Sequence, residues 1–480
     1  MPAERRPGLD VFLSPPPTPN GPLHVGHLSG PYVAADLAAR AARDRGGRVL
    51  TVCGTDDHQN YVPAKAAALG RDPDRVGAEH AARIAEVLKA VRVDHDVFTS
   101  PARDPEYRRA VRDLLAELVD AGVVVSRGHT LMVCPGCRRT LHHAYVTGGC
   151  PGCGAAMGGG TCEGCGGYAA AADLVDPVCT ACGRTPEAVT GRRDVIRLES
   201  FRDRLTEIWS RAVVPARCRA LLARYLDQGL PDVPVGYPTD WGIEIGDGRR
   251  LDVWVEMALA YLHVVGRAVD PRARTLAEYT AAWREVSGPW TFLGVDNAFY
   301  YAVLFPAIWS AAGVPPRAAL GGLVVNEFYR LDGLKFSTSR NHAIWGHELL
   351  DRADPGLIRL FLCWDRPAPH SSNFTAAAFE EFAARWRPVV ERLPEAGPAA
   401  GEGPAAGEEP GEGEEPGEVS RAREEPGEVS RAQEEPGEVS RAREALRPEH
   451  FDPALTVRCL LPAAERGDAE AARLLGLIAG

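Results

Sequence analysis

Four closely spaced Cys-x-x-Cys pairs constrain the fold of this chain more than any other feature of its sequence. A glycine lies inside or directly after each pair, as in the tight turn of a zinc knuckle. A tetrahedral Zn²⁺ takes four thiolates, so eight cysteines predict two closed, structural sites. Disulfides are the alternative, which a reducing cytosol disfavours. The pairs are Cys134/Cys137, Cys150/Cys153, Cys162/Cys165 and Cys179/Cys182.

The composition is typical of a soluble protein with more than one domain. The chain has 480 residues, of which 45% are apolar and 25% charged, and this length can bury more than one core. No apolar run approaches the roughly 20 residues of a membrane span, and a signal-peptide core is missing. We therefore expect a cytoplasmic protein without a membrane partner. The net charge of −11 comes mostly from residues 401–443, which hold 13 Glu and 5 Arg.

Strand and helix patterns alternate on both sides of the cysteine-rich segment. Before it, apolar runs at Val11–Leu13 and 48–53 predict buried strands. After it, Asp252–Val255, 290–297 and Leu320–Val325 predict further strands. The predicted helices are 34–42, 76–90, 105–121, 201–213, 215–228, 299–312, 355–364 and 374–392. This alternation predicts an α/β protein, with a Rossmann-like, doubly wound parallel sheet split by a zinc-knuckle insertion.

Two histidines lie at the start of the first predicted helix. The proline-rich stretch after Leu13 predicts an open turn, and His24 and His27, with Gly26 between them, share one face of the helical turn that follows. Free N–H groups at a helix start favour a phosphate ligand. The alternatives are a metal pair or two polar surface residues.

Polar residues follow other predicted strands. Asp56 comes directly after the run 48–53, at the place where open α/β sheets bind ligands, although Asp56 or Asp57 could instead cap a helix. Lys335 is one of only three lysines and opens the polar loop Lys335-Phe-Ser-Thr-Ser-Arg340. Its ammonium, beside Ser337 and Ser339, could bind a polyphosphate. An ordinary exposed turn is the alternative.

Residues 395–443 contain mostly Gly, Pro and Glu. A ten-residue unit begins at Glu414 and is repeated from Glu424 and from Glu434. With one large apolar residue in each unit, the segment cannot build a core and predicts a disordered acidic linker. A short helical tail follows it.

Together these segments resemble the class I aminoacyl-tRNA synthetases, and most closely the methionyl-tRNA synthetases of archaeal and eukaryotic type. His24-Val-Gly-His27 is similar to the family's His-Ile-Gly-His signature, and Lys335-Phe-Ser-Thr-Ser339 to its Lys-Met-Ser-Lys-Ser loop. Cys53-Gly-Thr-Asp-Asp-His58 and Gly294-Val-Asp-Asn297 resemble two further family motifs. The four knuckles resemble the family's two-zinc insertion, whose nested arrangement implies that the outer two pairs share one zinc and the inner two the other. The resemblance covers residues 9 to about 385.

The resemblance implies that an amino-acid carboxylate attacks the α-phosphate of Mg·ATP, and that the acyl group then passes to the acceptor end of tRNA. It implies catalytic roles for His24, His27 and Lys335. Its ATP-binding residues would be these three with Gly26, Gly294, Asp296, Ser337 and Ser339. Its amino-acid pocket would be Thr18, Asp56, Trp254, Met257, Tyr261 and Tyr301, with Asp56 binding the α-ammonium. We expect a monomer.

The resemblance also suggests domain limits. The expected segments are 1–118 and 231–345 (two halves of the catalytic domain), 119–230 (the insertion), 346–394 (a helical stem-contact region), 395–445 (the linker) and 446–480 (the tail). The family's helical anticodon-reading domain is larger than the stretch after residue 394, so anticodon recognition is not expected of these residues. A divergent paralogue is the interpretation that fits.

Several positions depart from the family pattern. Thr338 and Val295 replace lysines, and the run before Trp241 lacks an arginine, so three cations near the triphosphate are missing. In the amino-acid pocket Met257 replaces alanine and Ala258 replaces proline, while Thr18 and Tyr301 replace a tyrosine and a histidine. The alternatives to a tRNA ligase are therefore an adenylate-forming ligase of specialised metabolism with altered specificity, or a non-catalytic binding protein on a synthetase scaffold.

Overall fold

A parallel five-stranded sheet lies at the centre of the computed structural model, which describes residues 8–336, 342–394 and 437–480. The strands are β1 (Leu9–Leu13), β2 (Val49–Gly54), β3 (Val97–Thr99), β4 (Val286–Gly294) and β5 (Gly322–Asn326), in the spatial order β5-β4-β1-β2-β3. All neighbouring pairs are parallel. The doubly wound sheet predicted from the sequence is confirmed, and its two halves flank the insertion.

Both faces of the sheet are covered, which explains why its central strands are mostly apolar and buried. Successive side chains of β1 point to opposite faces: Val11 and Leu13 join the largest core cluster, whereas Phe12 packs in a second cluster with the alanines of the helix Val33–Asp44. Small side chains let this helix approach the sheet closely. It continues from a short turn at Val25–His27 through a π-helical segment, Leu28–Tyr32.

The insertion is built from short antiparallel strands. Its two long strands, Val124–Val133 and Glu187–Arg197, pair along their length and carry the cysteine-rich part at their far end. The other strands of this region are Thr140–Leu141, Val146–Gly149, Ala156–Gly158, Gly160–Thr161, Tyr168–Ala169, Val175–Cys179 and Asp232–Pro234. The helices Arg202–Arg211 and Ala216–Gln228 lead back to the sheet.

One predicted strand is wrong. The run Asp252–Val255 opens the helix Val253–Val269, and the Asp252 carboxylate caps it by accepting hydrogen bonds from the backbone of Trp254 and Val255. Nearly every residue of this helix up to Gly266 is buried. A helix buried on all sides has a continuous apolar run in place of a 3.6-residue period, so its pattern cannot be told from that of a buried strand.

The predicted linker also needs a correction at its end. Residues 395–436 lie outside the described part, so the structure does not bear on most of the segment 395–445. The last repeat, however, forms the helix Glu438–Glu444, in which Ala442 is fully buried. The tail helices Pro453–Glu465 and Ala469–Ala479 provide the apolar surface that buries it.

The remaining elements connect these parts. The other helices are Tyr61–Leu69, Pro73–Ala90, Pro105–Asp120, Leu276–Ala282, Tyr300–Leu304 (π-helical), Phe305–Ala311, Pro316–Ala319, Gly346–Leu350, Pro355–Trp364 and Ala376–Val390. Short strand pairs are Gly236–Pro238 with Arg249–Leu251, and Arg330–Leu331 with Leu334–Lys335 and Asn373–Phe374. Within the described ranges, no helix has both the length and the apolar character to cross a membrane.

Candidate active site

The site lies at the carboxyl ends of β1 and β4, where the connections leave the sheet in opposite directions. From β1 the chain proceeds to β2 and β3 on one side, and from β4 to β5 on the other. Such a topological switch point opens a crevice for a ligand. The turn with His24 and His27 follows β1, and Gly294 with Asp296 follows β4, so the structure brings these predicted residues to one crevice.

The two histidine rings are stacked, with centroids 3.7 Å apart. The Nδ1 atom of each ring accepts a hydrogen bond from the backbone N–H of the other residue, at 3.3 Å in both directions. In a neutral imidazole this leaves the proton on Nε2. Burial lowers the pKa of His27 to about 4, so this ring is neutral at pH 7 and presents an Nε2–H donor.

The start of the predicted phosphate loop and the segment after it contact the histidine turn. Phe336 stacks on the His24 ring at 5.0 Å between centroids. After the loop, the Ile344 carbonyl accepts from the Val25 N–H at 3.0 Å. Lys335 ends a short strand beside this contact, so its backbone lies near the crevice. Ser337 and Ser339, with Thr338 and Arg340, lie outside the described residues.

The turn after β4 brings Asp296 close to the backbone. A Cβ atom at Gly294 would lie 2.6 Å from Asp296 Oδ1, so a larger residue there would displace the Asp296 carboxylate. Beside it, Val295 is only 2% exposed. The lysine that stands there in the resembling family would have to be buried in this chain, so the valine is a packing residue here.

Asp56 lies buried directly after β2. Its carboxylate accepts a hydrogen bond from Thr18 Oγ1 at 3.3 Å, and its backbone N–H donates to the Pro17 carbonyl at 3.0 Å. Burial, followed by the nearby Glu256 carboxylate, raises the pKa of Asp56 well above its usual value. A ligand cation at this carboxylate would favour its ionised form and offset the repulsion from Glu256.

The sequence reasoning missed Glu256 and Tyr107. The Glu256 carboxylate lies 2.8 Å from His58 Nδ1 and accepts from the Tyr107 hydroxyl at 3.2 Å. Burial opposes a charge on His58, yet the Glu256 carboxylate raises the His58 pKa overall. An acidic residue inside the apolar run 253–265 was the signal that could have identified this buried pair, because buried carboxylates require partners.

The side chains predicted to line an amino-acid pocket contact one another. Tyr261 and Tyr301 share a hydrogen bond of 2.9 Å between their hydroxyls, and Tyr301 also donates to Met257 Sδ at 3.5 Å. Trp254 stacks on Tyr300, with ring planes 6° from parallel, and shares Phe305 as a ring neighbour with Tyr261 and Tyr301. The structure therefore places Met257, Tyr261 and Tyr301 in one cluster and Trp254 against another aromatic ring.

The eight knuckle cysteines form two tetrads with the nested pairing: Cys134, Cys137, Cys179 and Cys182, and Cys150, Cys153, Cys162 and Cys165. Sulfur–sulfur distances across them run from 3.3 to 3.8 Å. Tetrahedral zinc with bonds of about 2.3 Å separates its sulfurs by about 3.8 Å, so both tetrads fit zinc. Cys53, Cys218, Cys363 and Cys459 are buried singletons.

The insertion contacts the site directly. His143 Nε2 lies 2.8 Å from Asp252 Oδ2, the cap of the helix that carries Glu256 and Met257. On the opposite side, Asn60 Nδ2 donates to the His142 carbonyl at 2.9 Å. The insertion thereby helps to fix both the helix that carries Glu256 and Met257 and the segment after Asp56.

Comparison with known families identifies the architecture. The model of the family "tRNA synthetases class I (M)" matches residues 13–385. The chain belongs to the methionyl-tRNA synthetase family. The methionine–tRNA ligase of Thermomicrobium roseum is 30% identical over 403 residues, or 80% of this chain and 67% of that protein. That of Methanobrevibacter smithii is 29% identical over 371 residues, or 76% and 54%.

Solved structures of family members share the fold. A Mycobacterium tuberculosis methionyl-tRNA synthetase in complex with methionyl-adenylate has a TM-score of 0.66 at 18% identity, covering 98% of this chain and 88% of that one. A second, bound by methionyl-adenylate, has a TM-score of 0.60 at 19% identity, with 81% and 71% covered. The chain spans about half to two thirds of the length of the first curated relatives that it matches.

Proposed function

We propose that this chain activates an α-amino acid with ATP, forming an aminoacyl adenylate and pyrophosphate, and passes the acyl group to a tRNA acceptor end. The observation that carries the proposal is the stacked His24/His27 pair at the switch point, in which each Nδ1 accepts a backbone N–H and the ring proton is thereby placed on Nε2. Family membership supports it, as do relatives named methionine–tRNA ligase.

The crevice can stabilise the charge that develops at phosphorus. The carboxylate of the amino acid attacks the α-phosphate, and negative charge accumulates on the phosphoryl oxygens as the bond to pyrophosphate breaks. Preorganised Nε2–H donors of His24 and His27 can hydrogen bond to these oxygens. Mg²⁺ bound to the departing phosphates would neutralise their charge. Asp296, at the end of β4, would accept from the ribose hydroxyls, and Lys335 would serve the pyrophosphate side.

Asp56 would hold the amino acid on the other side of the phosphorus. A buried carboxylate is costly without a cation, and the α-ammonium group supplies one. The hydrogen bond from Thr18 orients the carboxylate, and the bond from the Asp56 backbone to Pro17 ties it to the turn after β1. Because the same turn continues to His24 and His27, one segment sets the distance between ammonium and phosphate.

The two tetrads would hold one zinc each. Four thiolates close the coordination shell, so the ions would stabilise the insertion and take no part in the reaction. The substitution Cys134→Ser should lower the zinc content from two ions to about one per chain and lower the melting temperature. The substitution Cys218→Ser, outside the tetrads, should keep both ions. Metal analysis showing two ions in the Cys134→Ser protein would contradict the assignment.

Amino-acid-dependent exchange of labelled pyrophosphate into ATP tests the activation step. We expect exchange that requires both Mg²⁺ and an amino acid, measured across a panel of side chains that includes methionine. Transfer is tested separately, by incubating the protein with bulk tRNA and the amino acid that supports exchange, and measuring acid-precipitable label. ATP binding without exchange for any amino acid would contradict the proposed function.

A further inference from the structure

The space next to Asp56, where a bound side chain would extend, is filled by the protein itself. Met257, Tyr261 and Tyr301 are 6%, 3% and 1% exposed and are hydrogen bonded in a chain from hydroxyl to hydroxyl to sulfur. The cluster lies close to the carboxylate, since Asp56, Met257 and Tyr261 border one cavity. An α-amino acid bound at Asp56 therefore meets this cluster with its side chain.

The cavity that remains is very small. It measures about 20 Å³ and is bordered by Thr55, Asp56, Glu256, Met257 and Tyr261, among others. A cavity of this size holds about one water molecule. A methionine side chain places three non-hydrogen atoms beyond Cβ, which this space does not accommodate.

The cluster is held in place from several directions. Tyr301 packs edge-on against Phe305, with centroids 4.7 Å apart, and Tyr261 packs on Trp309 in the same way at 6.2 Å. Rotating Tyr301 out of the space would break both of its hydrogen bonds and leave a buried hydroxyl unpaired, which is unfavourable. The three side chains therefore form a fixed wall, because rotating one of them aside would be energetically costly.

The chemistry of the cavity defines the ligand further. Thr55 Oγ1 borders it, is buried and has no hydrogen-bond partner among the residues that the structure describes. A polar atom of a small ligand could form a hydrogen bond with this hydroxyl. The carboxylates of Asp56 and Glu256 disfavour an acidic side chain by charge repulsion. The space thus suits a short, uncharged side chain.

We propose that Met257, which borders the cavity and is held in place by Tyr301, restricts this chain to α-amino acids with at most two non-hydrogen side-chain atoms, such as glycine, alanine and serine. The inference rests on the proposed function, because it assumes that Asp56 binds the α-ammonium. It concerns the substrate class and leaves the adenylation chemistry unchanged.

Pyrophosphate exchange with glycine, alanine, serine, leucine and methionine tests this inference. The wild-type chain should favour the small amino acids. The double variant Met257→Ala with Tyr301→His should shift the methionine-to-alanine ratio of kcat/KM by at least about 10-fold, the lower range for one methylene in an apolar pocket. Met157→Ala is the matched control. Met157 is also 6% exposed but lies in the insertion, so the methionine-to-alanine ratio of kcat/KM of this variant should equal that of the wild type.

The outcomes separate the two proposals. Exchange by the wild-type chain that is fastest with methionine would overturn the size restriction and leave the proposed function intact. If none of the amino acids supports exchange, the proposed function is contradicted. A thermal-shift assay then tests the size restriction by itself. Glycine, alanine or serine should raise the melting temperature and methionine should not. A shift with methionine alone would overturn the inference.

Discussion

The nucleotide side and the side-chain side of the candidate site differ in how much they keep of the family pattern. On the nucleotide side, His24, His27 and Asp296 match the family's motifs, and the structure gathers them at one switch point. On the side-chain side, Met257 and Tyr301 depart from it and fill the space beside Asp56. Under the proposed function, reaction type and substrate choice would reside in separable groups of residues. The two histidines and Asp296 are retained on the nucleotide side, although Val295 and Thr338 replace lysines there, and the side-chain side is altered.

The physical reason is that the two sides have different requirements. Stabilising charge at phosphorus requires donors at fixed positions, so a change of residue type removes the interaction outright. Selecting a side chain requires a volume, and substitutions can change a volume while the fold is preserved. Asp56 belongs to neither side alone, because it would bind the ammonium group that every α-amino acid carries, whatever its side chain.

The largest expected effect comes from breaking the nucleotide side alone. His24→Ala combined with His27→Ala should lower the kcat of exchange about 10³-fold or more for every amino acid, because each preorganised donor contributes about 10²–10³. The ratio between amino acids should stay unchanged. The exposed histidine variant His370→Ala should behave as the wild type. Exchange surviving in the double variant would mean that the phosphates bind elsewhere.

A smaller effect is expected at the boundary of the two sides. Asp56→Asn removes a charge-assisted hydrogen bond of about 1.5–3 kcal/mol, so kcat/KM for the amino acid should fall roughly 10–150-fold with little change in the KM for ATP. If the KM for ATP rose by the same factor as kcat/KM for the amino acid fell, Asp56 would support the fold and would not bind the ammonium group.

Asp56 also predicts a pH dependence. The ammonium binds the ionised carboxylate, whose pKa is raised in the free protein. Affinity for the amino acid should therefore rise with pH as Asp56 ionises, in a range above the usual carboxyl value. Asp56→Asn should lose this rise, and a profile identical to that of the wild type would exclude Asp56 as its source.

The smallest expected effect comes from a neighbour of Asp56. Glu256→Gln removes the charge that, after burial, does most to raise the Asp56 pKa. The rise in amino-acid affinity should move to lower pH, whereas the exposed variant Glu380→Gln should leave it in place. A shift to higher pH in the Glu256→Gln protein would contradict the assigned influence.

Local chemistry decided which parts of the structure could be predicted from the sequence. Two four-cysteine sites and the parallel sheet were predictable, because thiolate pairs and strand–helix alternation are short-range patterns with few alternatives. The nested pairing of the tetrads was implied only by the family resemblance. The helix at Val253 was predicted as a strand, since complete burial erases its period. The helix Glu438–Glu444 was missed because it has almost no apolar residues of its own and depends on the surface of the tail.

The contacts between distant segments could not be predicted from the sequence. The hydrogen bond from Tyr301 to Met257 joins residues on two different helices, and neither residue signals the other along the chain. The same holds for Glu256 with His58 and Tyr107, whose pairing depends on how three elements pack. Motif resemblance located the pocket positions, and only the structure shows that they fill it.

Exchange of labelled pyrophosphate into ATP by the wild-type chain, measured side by side with alanine and methionine, tests the central claim most directly. Retained histidines and Asp296 on the nucleotide side, with an altered side-chain side, predict alanine-dependent exchange well above the methionine-dependent rate. Exchange that depends on methionine, with none above background for alanine, would contradict it.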